Sequence, residues 1–277
     1  MTWLHLVLLV LAGLFGGFIG GLLGVGGGII FAPVLLLYFQ AIGVPATAVM
    51  PLTLGTSLLT VLIATVSSAY TQHRLGALRW PVALFTGSVS ALIALVITAT
   101  ISTQSWYDKR VFQLFFGSVL ILVVWRMLAY KPLVTEGGAF PENNRSKGLL
   151  MVIGSVSGLV SALTGVGGGT ILVPAYHRFL QMTLTVATGT SAGTIIITAS
   201  AAILAYVVQG WGVPLLPFSV GFVDGTASLT LGLPAMMSAR WGVLVAHKIN
   251  TKWLKRIFAV FVLLIALRMI LNALFEV

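Results

Sequence analysis

Between Leu4 and Phe275 one apolar run follows another: Leu4–Leu23, Val44–Ala69, Pro81–Ile101, Val111–Tyr130, Gly148–Leu163, Thr185–Val208, Phe218–Met237 and Leu254–Phe275. A helix needs about 20 apolar residues to cross a bilayer, and most of these runs are near that length. Hydrophobic residues make up 58% of the 277 and charged residues 7%, against roughly 25% charged in soluble domains. The expected fold is all-α, a polytopic membrane helical bundle forming one integral membrane domain in the lipid bilayer.

The formal net charge of +10 does not point to nucleic acid. Its basic residues sit in short loops and near helix ends, where they act as topology signals and meet anionic lipid. The absence of cysteine removes disulfides, thiolate chemistry and Cys-ligated metals from consideration. No Lys or Arg precedes Arg74, so Leu4–Leu23 lacks the basic start of a cleaved signal peptide and reads as retained structure.

Two stretches answer each other. "GGLLGVGGGIIFAPVLLL" (20–37) returns as "SALTGVGGGTILVPAY" (161–176). Gly24, Val25, Gly26, Gly27 and Gly28 match Gly165, Val166, Gly167, Gly168 and Gly169, and Pro33 matches Pro174 at the same spacing. Further on, Gly55–Thr56–Ser57 is echoed by Gly189–Thr190–Ser191, and "KRVF" at 109–112 by "KRIF" at 255–258. The polar stretch "KPLVTEGGAFPENNRSK" separates the copies, dividing the chain into a membrane repeat over 1–130, a linker over 131–147 and a second repeat over 148–277.

The positive charges orient these repeats. Cytoplasmic loops are enriched in Lys and Arg. Arg74 and Arg79 mark the first-half loop, whereas its second-half counterpart "VVQGWGVPLL" has no charge and the basic residues gather at Arg240–Arg256. The bias swaps sides, as inverted repeats require, with the linker cytoplasmic and both termini outside. Lys109–Arg110 stands against this scheme, offset in part by Asp108. The topology then makes Gly148–Leu163 and Thr170–Leu180 the two arms of a helical hairpin tipped by glycines. The second arm is about 16 Å long at 1.5 Å per residue, so its tip falls near mid-membrane. The first-half hairpin, Leu4–Leu23 with Ile29–Phe39, enters from the other face.

Non-helical backbone deep in a bilayer is tolerated where protein or a polar cavity satisfies it. A helix N-terminus offers unpaired N–H donors and about half a positive charge, and it binds anions without a lysine. Glycines let substrate oxygens come close. Broken helices of two repeats meeting at mid-depth are a recurrent transporter site. Candidate binding residues are therefore Gly24, Gly26, Gly27, Gly28, Gly165, Gly167, Gly168 and Gly169, with the hydroxyl-bearing Gly55–Thr56–Ser57 and Gly189–Thr190–Ser191, and Thr164 and Thr170 beside the second tip. Structural readings compete with each: glycines serve close helix packing, and Ser and Thr bond their own helix backbone. The runs lack the Lys-Ser/Thr of a P-loop and the last glycine of a dinucleotide fingerprint. Asp224 lies within or at the edge of a span, as a coupling-proton group or an interfacial residue. His177–Arg178 either guides an anion inward or snorkels.

The twin "GVGGG" runs with their prolines, the "GTS" after each, and the ending "SARWGVLVAHKINTKWLKRIFAVFVLLIAL" resemble the sulfite exporter TauE/SafE family of membrane transporters. Where that ending commonly has glycine, this chain has Ser238. The resemblance implies transport of small sulfur-containing anions, sulfite or organosulfonates, across a bacterial inner membrane. Its matching positions are Gly24, Gly26–Gly28, Gly55–Ser57, Gly165, Gly167–Gly169 and Gly189–Ser191. The expectation is a secondary transporter with alternating access and no cofactor, alone or as a homo-oligomer. An intramembrane enzyme would need paired carboxylates or a metal cluster, and the four histidines are scattered. A non-transporting scaffold or assembly subunit is the other reading, and it would need no polar site at mid-depth.

Overall fold

A computed structural model describes residues 3–102, 109–129, 144–213, 216–248 and 252–275. Asp108 and residues 131–143 of the expected linker lie outside the described residues. The helices are α1 (Trp3–Leu23), α2 (Gly28–Ala41), α3 (Ala46–Arg74), α4 (Trp80–Ile97, continued as a π-helical turn over Thr98–Ser102), α5 (Lys109–Ala129), α6 (Asn144–Thr164), α7 (Gly169–Phe179), α8 (Leu184–Gln209), α9 (Gly225–Ala246) and α10 (Lys252–Phe275). A short antiparallel ribbon, β1 (Ser219–Val220) with β2 (Val223–Asp224), precedes α9.

Among the described residues, α1, α3, α4, α6, α8 and α9 are long and apolar enough to cross a membrane. At 14 and 11 residues, α2 and α7 fall short of the ~20 that a crossing takes. The chain is thus an all-α polytopic membrane protein. Helix α3 starts where the Pro45 carbonyl accepts from Ala48 and Val49, and it runs beyond the expected Ala69 to Arg74.

The expected span Phe218–Met237 is displaced: its first residues form the ribbon, and the helix runs instead from Gly225 to Ala246. The cause is local. Gly221, at φ 58°, lets the ribbon reverse, and the Asp224 carboxylate accepts from Ala227 N–H at 2.7 Å. An aspartate in that role is a preferred helix N-cap. Asp224 therefore starts a span rather than lying inside one.

The two ends of the sequence interlock. Helix α1 packs on α9 and α6 on α4; α3 packs on α8 and α9, and α8 on α3 and α4. Small residues permit this closeness. Cβ atoms added at Gly13, Gly17 and Gly21 of α1 would strike the carbonyls of Leu231, Ala235 and Ala239 on α9, and at Gly158 of α6 the carbonyl of Ser90 on α4. In lipid, where apolar burial between helices yields little, such backbone-to-backbone packing is a main source of association. Helices α3 and α8 lie innermost: Leu52, Leu54, Leu58 and Val61 of α3 and Ile195, Ala199 and Tyr206 of α8 are fully buried.

Candidate functional site

Each glycine run is a turn between a long helix and a short one. Helix α1 ends at Leu23 and α6 at Thr164, because the next residues adopt left-handed backbone: φ is 70°, 79° and 81° at Gly24, Gly26 and Gly27, and 69°, 82° and 78° at Gly165, Gly167 and Gly168. That region costs an L-residue about 1–2 kcal/mol per position, which selects glycine three times in each turn. Gly27 and Gly168 then cap α2 and α7 with no side-chain help. The Gly27 carbonyl accepts from Ile30 and Phe31, and the Gly168 carbonyl from Ile171 and Leu172. This leaves the amides of Gly28 and Ile29, and of Gly169 and Thr170, without an acceptor among the described residues. They are the helix-start donors that an anion can use.

The turns face each other at contact distance. A Cβ at Gly28 would lie 2.5 Å from Val166 Cα, and one at Gly169 would lie 2.7 Å from Val25 Cα. These two glycines have ordinary φ and are required by this approach instead. Val61 of α3 and Ile195 of α8 fill the space beside Gly26 and Gly167.

The Gly-Thr-Ser pairs bind across the halves. Ser57 Oγ donates to the Gly165 carbonyl at 2.8 Å, and Ser191 Oγ donates to the Gly24 carbonyl at 2.9 Å. Thr56 Oγ1 accepts from the Asp224 amide at 3.0 Å, and Thr190 Oγ1 accepts from the Arg79 amide at 3.2 Å. Gly55 faces the Phe222 carbonyl and Gly189 the Ala77 carbonyl, with no room for a methyl group. The serine protons are thus committed to turn carbonyls in this conformation, while the threonines accept and keep their own protons available. Each motif also holds the opposite copy's turn in place.

The other expected residues sort by their partners. Thr164 donates to the Val160 carbonyl at 2.6 Å, bonding its own helix. Thr170 is buried and its hydroxyl has no partner among the described residues. Among the described residues, Asp224 meets the site through its amide on Thr56. His177 Nδ1 pairs with the Met182 carbonyl at 2.5 Å and Arg178 is exposed, both at the far end of α7, about 13 Å along the helix from its start at 1.5 Å per residue.

Two residues near the second turn escaped sequence reasoning: Ser157 and Ser161 on α6, both fully buried, their hydroxyls without a partner among the described residues. Leaving such a group unpaired costs about 1–3 kcal/mol. In sequence they look like ordinary small residues of a membrane helix, and the one available signal was their spacing before Gly165. A polar chain also approaches the first turn: His247 Nε2 pairs with Gln72 Oε1 at 3.0 Å, and Gln72 Nε2 donates to Thr188 Oγ1 at 3.3 Å. Thr188 packs directly on Gly24. Partial burial pushes the His247 imidazole pKa down. Among the described residues, no group of His, Asp and Glu is arranged to hold a metal ion.

Fold and site together define a polytopic helical membrane protein with buried serine and threonine residues set against two glycine turns. The model of the sulfite exporter TauE/SafE family matches residues 9–269, and the chain belongs to that family. It is 27% identical to a "probable membrane transporter protein" of Haemophilus influenzae over 96% of this chain and 98% of the relative. Similar relatives with the same description occur in Methanocaldococcus jannaschii (23% identical, 91% and 90% covered) and Bacillus subtilis (24% identical, 98% and 99% covered). No solved structure matches. The chain is accordingly a membrane transporter and an integral protein of the bacterial inner membrane.

Proposed function

We propose that the chain is a secondary transporter that moves a small sulfur-containing anion, sulfite or an organosulfonate, by alternating access around the facing glycine turns. In this reading residues 1–130 and 148–277 are inverted repeats joined by a cytoplasmic linker at 131–147, and α1–α2 and α6–α7 are glycine-tipped hairpins entering from opposite faces. The observation that carries it is the pair of helix starts, α2 and α7, meeting with four amides that have no acceptor among the described residues.

Such amides compensate a desolvated oxyanion without a lysine, and two broken helices meeting inside a bundle give a site that either face can reach by a rocking motion. The crossed serine bonds suit that motion: releasing Ser57 from Gly165, or Ser191 from Gly24, would loosen one turn while the other stays held. An electrochemical gradient is the energy source, since the sequence has no P-loop or other nucleotide-hydrolysing motif. Asp224, the one carboxylate buried among the described residues, is the group to which a coupling proton is assigned.

The test is counterflow in proteoliposomes, preloaded in separate batches with sulfite, taurine, isethionate or sulfoacetate, following entry of the matching labelled anion. Exchange of sulfite or one of the sulfonates is the expected result. No exchange with any of them, from protein shown to be folded and inserted, would overturn the proposal.

A further inference from the structure

The two turns share a backbone but not their surroundings. Counted back from the matched glycines, Ser157, Ser161 and Thr170 around the second turn correspond to Gly16, Gly20 and Ile29 around the first. All three hydroxyls are at least nine-tenths buried and have no hydrogen-bond partner among the described residues. One of them is aimed at the start of α7. Ser157 Oγ occupies the space where a Cβ on Gly168, the N-cap of α7, would project. Ser161 lies one helical turn further along α6, four residues before Gly165. Thr170 is the second residue of α7 itself. Beside the first turn, Thr65 next to Gly26 is the hydroxyl without a partner among the described residues.

Buried hydroxyls without partners call for one. Ser157 lies against Gly168, the residue before the amides of Gly169 and Thr170, and Thr170 carries one of those amides itself, so hydroxyl and amide donors meet at the start of α7. No Lys, Arg or His is buried among the described residues. The titratable groups around the focus are otherwise engaged: Tyr176 of α7 shares a hydrogen bond with Thr194 at 2.8 Å, Asp224 caps α9, and His247 pairs with Gln72. Positive potential therefore comes from the two helix starts, about half a charge each. Together they balance one negative charge, and a second would be buried without compensation.

Resting on the transporter reading above, we infer that the anion is bound at the second turn, by the Gly169 and Thr170 amides and the hydroxyls of Ser157, Ser161 and Thr170, as a singly charged oxyanion. For sulfite, which exists near neutral pH in both singly and doubly charged forms, the bound species is hydrogensulfite. The first turn supplies its helix start and closes the site.

The experiment uses the full chain in proteoliposomes and measures KM for labelled sulfite. Thr170→Val and Ser157→Ala are expected to raise KM by about tenfold each, the effect of removing a hydrogen bond to a charged group, while Thr170→Ser retains the wild-type value. Methanesulfonate, with one charge, is expected to compete with sulfite and sulfate, with two, to fail. The KM for total sulfite should rise from mildly acid to mildly alkaline pH as hydrogensulfite is depleted. If the wild type exchanges sulfite but both variants stay within about twofold of it, or sulfate competes as well as methanesulfonate, this inference falls and the transporter reading stands. If the wild type exchanges no sulfur anion, both fall. Should Thr170→Val fail to insert, Ser157→Ala and the competition measurements still decide.

Discussion

The first and second glycine turns are one backbone written twice, set in different chemistry. Their left-handed φ angles agree within a few degrees, and each receives a serine hydroxyl from the other half, Ser191 on Gly24 and Ser57 on Gly165. Around them the residues diverge. The second turn has Ser157, Ser161 and Thr170 where the first has Gly16, Gly20 and Ile29, while the first is backed by Thr188 and Gln72 where the second has Leu54 and Tyr206. What the two turns share is what the backbone needs: glycine at positive φ, glycine at the contact between turns, and a hydroxyl for each stranded carbonyl. Side chains around that frame were free to differ, so the two copies need not share one task.

The largest effect should come from breaking what the turns have in common. Gly27→Val and Gly168→Val each force a branched side chain into left-handed backbone, against the Gly16 carbonyl in one case and Ser157 in the other. Strain and overpacking together amount to about 3 kcal/mol or more. Both variants are expected to lose anion exchange and to unfold earlier in detergent, and wild-type exchange from either would show that its turn is dispensable.

A smaller effect separates the turns. Gly24→Ala would place a methyl group 2.6 Å from Thr188 Cα, whereas at Gly165→Ala the nearest atoms, on Leu54, are 3.3 Å away. Both share a backbone penalty of about 1–2 kcal/mol, and the collision adds about 1–3 kcal/mol at Gly24 alone. Thermal unfolding should rank Gly24→Ala clearly below Gly165→Ala; equal melting would mean that the packing around the first turn yields as readily as that around the second.

The smallest should fall evenly. Ser57→Ala and Ser191→Ala each strip a buried carbonyl of its donor, for about 1–3 kcal/mol. Matched losses of stability would sharpen the view that the crossed bonds are one device made twice. A marked inequality would assign the holding role to a single half.

Much of this frame was legible in the sequence. The doubled "GVGGG" announced two interruptions of helix, and they fall where expected, with α2 starting at Gly28 and α7 at Gly169. The Gly-Thr-Ser motifs were visible as a pair, but not that each would reach the opposite copy, because a hydroxyl's partner more than a hundred residues away leaves no mark on local spacing. The apolar neighbours of Asp224 leave it open in sequence between a span and its edge; the carboxylate-to-amide cap that begins α9 depends on a ribbon too short to show as a strand pattern.

By itself the sequence determined the membrane habit, the all-α class, the positions of the two turns and the family. Each of these follows from quantities carried along the chain: apolar run length, glycine placement and repetition. Only the tertiary structure decided which glycines serve positive φ and which serve contact, that the halves interlock through α1 with α9 and α6 with α4, and that Ser157, Ser161 and Thr170 stay unpartnered beside one turn. Those depend on which distant backbone arrives at each surface. Where packing in lipid is set by the approach of small residues rather than by burial of apolar area, the meeting points are fixed by three-dimensional fit.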